Sequence, residues 1–167
     1  KIMLVERPEE LKVGIADYKV ARAPVKIITL GLGSCIGVTL FDPNNKVGGM
    51  VHIMLPDSTQ FKNATNPAKY ADLGIPLLLE EVLKLRARRS SLQAKIAGGA
   101  QMFSFADKTT SLNIGQRNAE MTKYMLNKLG IKLFAEDTGK NYGRTMILDT
   151  TTGEVLIRTA GFPLKKL

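Results

Sequence analysis

The spacing of apolar and polar residues changes period several times along the chain, and the changes mark out the elements. "LKVGIADYKVARA" and "VKIITL" have strand-like spacing, while "CIGVTLF" and "VGGMVHIML" are denser apolar runs bounded by turn residues; all are predicted strands. Asn66 and Pro67 form an N-cap and N1 pair that opens a predicted helix through "AKYADLGIPLLLEEVLKLRARR", with Glu80 and Lys84 spaced i,i+4. Gly74 and Pro76 conflict with that helix and predict a kink or restart near Leu77. "LQAKIAGGA" reads as a further strand ending in glycines. A second helix is predicted from about Ile114 to Leu129, with Ile114, Asn118, Met121, Met125 and Leu129 on one stripe and Gly130 as the stop signal. "KLFAED", then "RTMILDT" and "EVLIRTA" joined around Thr152 and Gly153, supply the last strands. The expected fold is α/β or α+β, with mixed, largely antiparallel sheets packed with two main helices. No repeat, low-complexity tract or linker divides the chain, so residues 1–167 read as one domain.

Composition narrows the classes. No apolar run approaches the roughly 20 residues of a membrane helix, and "KIMLVERPEE" lacks the ordered regions of a signal peptide, so the expected location is the cytoplasm. The net charge of +9 raises nucleic acid as a partner. Against it, Arg86, Arg88 and Arg89 form one short basic cluster, the other basic residues are scattered, and there is no Trp to stack bases. Three arginines at a helix end suit its dipole, and an acidic protein partner fits the same charge.

The chain has one cysteine, Cys35, and one histidine, His52. One cysteine forms no internal disulfide, and the two singletons are too few for a structural zinc site, so no tightly held metal is expected; a thiol route through a thioester needs no organic cofactor either. Between their strands lies "FDPNNK", where Asp42 and Pro43 suit the first positions of a type I turn. Pairing Phe41 with Lys46 across a four-residue loop puts Cys35 opposite His52, on the same sheet face; a slip of one residue would separate them. A thiol beside an imidazole is a candidate nucleophile whose pKa the imidazole lowers, and the imidazole can protonate the leaving group. Gly31 and Gly33 allow a tight turn before the strand, so that N–H groups near Gly33, Ser34 and Cys35 are candidates to face an oxyanion or position substrate. For the residue that orients the imidazole, spacing alone favours Asp57, while Thr29 ends the preceding strand near the thiol.

Together, "TLGLGSC", "VHIMLPDS", "NPAKYAD", "AKIAGGAQMF", "NIGQRN" and "AEDTGKNYGR" resemble, in order and over nearly the whole chain, the chemoreceptor glutamine deamidases of bacterial and archaeal chemotaxis, the CheD family. The resemblance implies an α/β fold related to the deamidating bacterial toxins and a thiol amidohydrolase that converts glutamine side chains of methyl-accepting receptors to glutamate and ammonia. It assigns Cys35 as nucleophile, His52 as general base and acid, and Thr29, instead of Asp57, as the third member. It also implies a CheC-type response-regulator phosphatase as a partner that competes with the receptor. "LGIP" at residues 73–76 and "SFADKTTSL" at 104–112 depart from the family pattern. Two other readings share these residues: a non-enzymatic chemotaxis adaptor, and a receptor methylesterase or thiol peptidase.

Overall fold

β4 (Ile36–Asp42) and β5 (Val47–Ile53) are buried at every position, which explains why their sequences run apolar without alternation. They lie in the middle of three layers. Alternate residues Ile36, Val38, Leu40, Val51 and Ile53 face the helices α1 (Ala71–Lys84) and α2 (Ile114–Lys128), where they meet Ile75, Leu78, Val82 and Leu126. The intervening residues, among them Phe41 and Met50, face a second core shared with Ile27, Leu32, Met146 and Leu148 of the other sheet. A computed structural model describes residues 9–102 and 113–167. Its strands form two five-stranded sheets. The outer sheet has the order β1 (Glu10–Val13), β3 (Lys26–Leu32), β8 (Arg144–Asp149), β9 (Val155–Arg158) and β10 (Lys165–Lys166). The middle sheet has the order β2 (Tyr18–Arg22), β5, β4, β6 (Gln93–Gly98) and β7 (Lys132–Thr138). The class is α+β with mixed, mainly antiparallel sheets, as the sequence predicts.

Three local expectations change. Residues 11–23 are not one strand: the chain turns between β1 and β2, with Ala16 at φ 59°. β1 therefore pairs in parallel with β3 in one sheet, while β2 pairs antiparallel with β5 in the other. The second parallel pair, β6 with β7, is connected through α2, as a parallel crossover requires.

The first predicted helix breaks upstream of Leu77, not at it. Asn66 caps a short 3₁₀ turn, Pro67–Lys69, by accepting the Ala68 N–H, and α1 starts afresh at Ala71 and runs through Pro76. Packing of Ile75, Leu78 and Val82 outweighs the hydrogen bond that Pro76 removes. Gly74 permits this packing, since a Cβ there would lie 2.6 Å from Ile53 Cδ1. Glu80 and Lys84 pair at 3.5 Å on the exposed side. "LGIP" thus lies within a regular helix, while "SFADKTTSL" lies outside the described residues.

On α2 the inward stripe is rotated from the predicted one: Gly115, Asn118, Ala119, Thr122, Met125 and Leu126 are buried. Gly130, at φ 72°, ends the helix as expected. The arginine cluster, Arg86, Arg88 and Arg89, lies beyond the end of α1. Arg89 donates to the Leu129 carbonyl at 2.7 Å, at the C-terminus of α2, and the Arg88 N–H donates to Asp42 Oδ2 at 2.7 Å.

Candidate active site

The β4–β5 turn sets the relation between thiol and imidazole, and its register differs from the predicted one. Asp42 is the last residue of β4, paired with Val47 across a four-residue turn, Pro43 to Lys46. Its buried carboxylate accepts the N–H groups of Asn44 and Asn45 at 2.8 and 3.3 Å, and Lys46 closes the turn at φ 52°. Asp42 is therefore held in the ladder, and the loop begins one residue later than predicted. Gly37, not Cys35, stands opposite His52, and the ladder ends at the Ile36–Ile53 pair. Cys35 lies one step beyond it. A shift of two residues preserves the face, so Cys35 remains on the His52 side of the sheet, diagonal to it. In keeping with this, Cys35 packs against the core between the two sheets.

His52 and Thr29 meet across that interlayer space. His52 is wholly buried on β5, and its backbone is fixed by bonds from its N–H to Asp17 O and from Ala16 N–H to its own carbonyl, both 3.0 Å. Thr29, on β3, is also buried, and its Oγ1 lies 2.7 Å from His52 Nδ1. The hydroxyl donates its single proton to the Val13 carbonyl at 2.7 Å. Toward the ring Oγ1 can then only accept, so Nδ1 carries the hydrogen and Nε2 presents its lone pair. Nε2 is buried and has no hydrogen-bond partner among the described residues. Burial pushes the imidazole pKa down from 6.5 to about 4, so the ring is neutral at neutral pH.

Burial also pushes the half-buried Cys35 thiol up from its ordinary value. The sequence expectation that the imidazole lowers the thiol pKa is corrected here. A neutral ring supplies no positive charge to hold a thiolate, so desolvation of Sγ prevails. At neutral pH the two groups rest as a thiol and a neutral imidazole, with no hydrogen bond between Sγ and Nε2.

Asp57, the choice favoured by spacing, lies elsewhere. It caps the short 3₁₀ turn Ser58–Gln60, accepting the Thr59 N–H and hydroxyl at 2.9 and 2.7 Å. The backbone before Cys35 is tightly held. Gly33 N–H is engaged by Gly31 O at 3.0 Å, while the carbonyls of Gly33 and Cys35 accept from Ala100 and Gly99 N–H at 2.9 and 2.8 Å. Gly98, at φ 112°, permits this approach, since a Cβ there would collide with the Cys35 carbonyl. Among the described residues, the Ser34 and Cys35 amides make no backbone bond outside the strand ladders.

One polar residue of the site escaped the sequence reading. Asn118, wholly buried on α2, donates through Nδ2 to Ser34 O at 2.9 Å and Met54 O at 3.1 Å. Helical spacing placed it on the inward stripe; the visible signal was an amide among otherwise apolar stripe positions. Beside the site, a cleft of about 390 Å³ is lined by Gly99, Gln101, Gln116, Lys123 and Lys140, among others.

A three-layer α+β scaffold thus holds a Thr–His pair with a bare ring nitrogen on the face that also carries the single thiol. The family model described as CheD chemotactic sensory transduction matches residues 54–159. The probable chemoreceptor glutamine deamidase CheD of Desulforamulus reducens is 61% identical over 156 residues, covering 93% of this chain and 94% of that protein. Its namesake in Moorella thermoacetica is 59% identical over 160 residues, covering 95% and 96%. That of Clostridium botulinum strain Hall is 56% identical over 159 residues, covering 95% and 98%. The chain belongs to the CheD family. Thr29, Cys35 and His52 precede the span matched by the family model, but the alignments with the relatives are long enough to include them.

Proposed function

We propose that this protein deamidates selected glutamine side chains on methyl-accepting chemoreceptors, with Cys35 as nucleophile, His52 as general base and acid, and Thr29 as the residue that orients the ring. The observation that carries the reading is the Thr29–His52 hydrogen bond, which fixes the tautomer and leaves Nε2 bare on the thiol's face. The names of the relatives supply the substrate class.

In the reaction, Nε2 takes the Cys35 proton as Sγ attacks the amide carbon. The carbonyl oxygen becomes an oxyanion that the Ser34 and Cys35 amides can meet, with Gly33 shaping the approach. The imidazolium then protonates the leaving nitrogen, the C–N bond breaks, and ammonia departs from a thioester. A water molecule, deprotonated by Nε2, cleaves the thioester to glutamate and restores the thiol. No step calls for a metal or organic cofactor.

The receptor's helical surface is convex, which suits a half-buried thiol at a sheet end, and the basic balance of the chain favours approach to acidic surfaces. No helix among the described residues is long and apolar enough to cross a membrane. We place the reaction at the cytoplasmic region of the receptors. A CheC-type phosphatase is the proposed regulatory partner, sharing the face that receives receptor helices.

Purified receptor fragment mixed with this protein is expected to release ammonia and gain about 1 Da per modified glutamine by intact-mass analysis, the difference between an amide and an acid. Excess phosphatase should suppress release as the complex forms. Mass change without ammonia would point to ester or peptide cleavage, binding without either to an adaptor, and undiminished release from a saturated complex to separate faces.

Thr29→Val removes the acceptor for Nδ1–H at nearly constant volume and is expected to lower kcat about 10- to 100-fold, with Thr29→Ser restoring most of it. Asp57→Asn should stay within about twofold, because Asp57 serves a surface turn. The opposite ranking among folded variants would return the orienting role to Asp57.

A further inference from the structure

Asn118 lies one layer away from the thiol and imidazole, yet its side chain joins the segments that carry them. Ser34 directly precedes Cys35, and Met54 lies two residues after His52. The β4–β5 ladder ends at Ile36 and Ile53, so the Ser34 and Met54 carbonyls lie beyond its last rung. Nδ2 bridges them at 2.9 and 3.1 Å and continues the connection where strand pairing has stopped. The amide orientation follows from its neighbours: turned over, it would set Oδ1 against two carbonyl oxygens. α2 comes close enough for this because residue 115 is glycine; a Cβ there would collide with the Ala100 and Gly99 backbone.

We infer that Asn118 is a positioning residue that aims the Cys35 N–H at the oxyanion formed when Sγ attacks a carbonyl. The Ser34–Cys35 peptide is trans, so its C=O and N–H point in opposite directions. Anchoring Ser34 O to α2 directs the Cys35 N–H away from α2. The neighbouring carbonyls of Gly33 and Cys35 are held by Ala100 and Gly99, so the peptide planes on either side are also fixed. A donor held before reaction costs no reorganisation when charge develops on the oxygen, which is the condition for effective stabilisation. The inference deepens the deamidase reading and rests on Cys35 being its nucleophile, but it can be tested without a receptor.

The test compares two electrophiles on the same thiol. With p-nitrophenyl acetate, a C–S bond forms through a tetrahedral oxyanion, the ester C–O bond breaks, and the thiol proton ends in the released p-nitrophenol. With iodoacetamide, sulfur displaces iodide at a saturated carbon and no oxyanion forms. Asn118→Ala is expected to slow acylation of Cys35 about 10- to 100-fold while alkylation stays within about twofold. Asn118→Ser serves as a second variant of smaller perturbation, and Leu126→Val, which alters α2 packing only, should leave both rates near wild type. Equal changes in the two rates, or none in either, would overturn the inference, as would a wild-type acylation-to-alkylation ratio no higher than that of free cysteine. If wild-type protein shows the elevated ratio but releases no ammonia from receptors, the substrate reading fails and the Asn118 inference stands.

Discussion

Replacing Cys35 by alanine is expected to lower ammonia release from receptor fragments by about 10⁴-fold or more, because removing a covalent nucleophile eliminates the thioester route and leaves only binding and oxyanion stabilisation. The fold should survive. Cys35 is half-buried at the margin of the interlayer core, and the backbone bonds of its carbonyl and of the Ser34 and Gly33 carbonyls do not involve its side chain. Circular dichroism and the unfolding midpoint should therefore stay close to wild type while activity vanishes. Cys35→Ser is a sharper probe, since it keeps the shape and supplies a hydroxyl whose proton is harder to remove. Burial raises the native thiol's pKa, so iodoacetamide labelling of wild type should accelerate as pH rises above neutrality. Ammonia release by folded Cys35→Ala at more than a few per cent of the wild-type rate would remove Cys35 from the mechanism.

The scaffold was largely readable because burial on one or two faces leaves a periodic trace. The dense runs in β4 and β5 reported a middle sheet, and the spacing around α2 located that helix to within a residue at its end. What failed to show depended on partners distant in sequence. The separation of β1 from β2 follows from the different sheets that receive them, and nothing in "LKVGIADYKVARA" states that β3 and β5 belong to different layers. The hairpin register was missed because the carboxylate of Asp42 is held by the Arg88 amide, 46 residues away, as well as by its own turn. The thiol and imidazole nevertheless stay on one face, since the error was an even number of residues. Thr29 could be assigned to His52 only through family resemblance: spacing favoured Asp57, and the 2.7 Å contact depends on packing one sheet on the other. The direction of the thiol pKa is the opposite of that expected because burial of Cys35 itself disfavours the thiolate.

His52→Gln is expected to abolish turnover and, at the same time, to flatten the acid dependence of stability. The folded imidazole titrates at about 4, below its ordinary value of 6.5, because burial disfavours the charged ring. Between those pH values the unfolded chain binds a proton that the folded protein excludes, so stability increases with pH across the window. This contribution is complete above about 6.5 and is lost as pH falls toward 4, amounting to about 3 kcal/mol between the two limits. Urea unfolding at several pH values between 4 and 7 should show the stability of wild type relative to His52→Gln falling by about that amount on acidification, whatever the difference at pH 7. Glutamine can still donate to Thr29 Oγ1 but offers no basic nitrogen to the thiol, so loss of activity would reflect proton transfer instead of collapse of the site. With His52 as the proposed base, the same titration is expected to shape the wild-type rate: the ring must be neutral to accept the thiol proton, so the acid limb of kcat/KM is expected near 4 instead of 6.5. Parallel stability curves together with an acid limb near 6.5 would mean that the ring keeps its ordinary pKa in the folded enzyme, and would overturn the burial-shifted base.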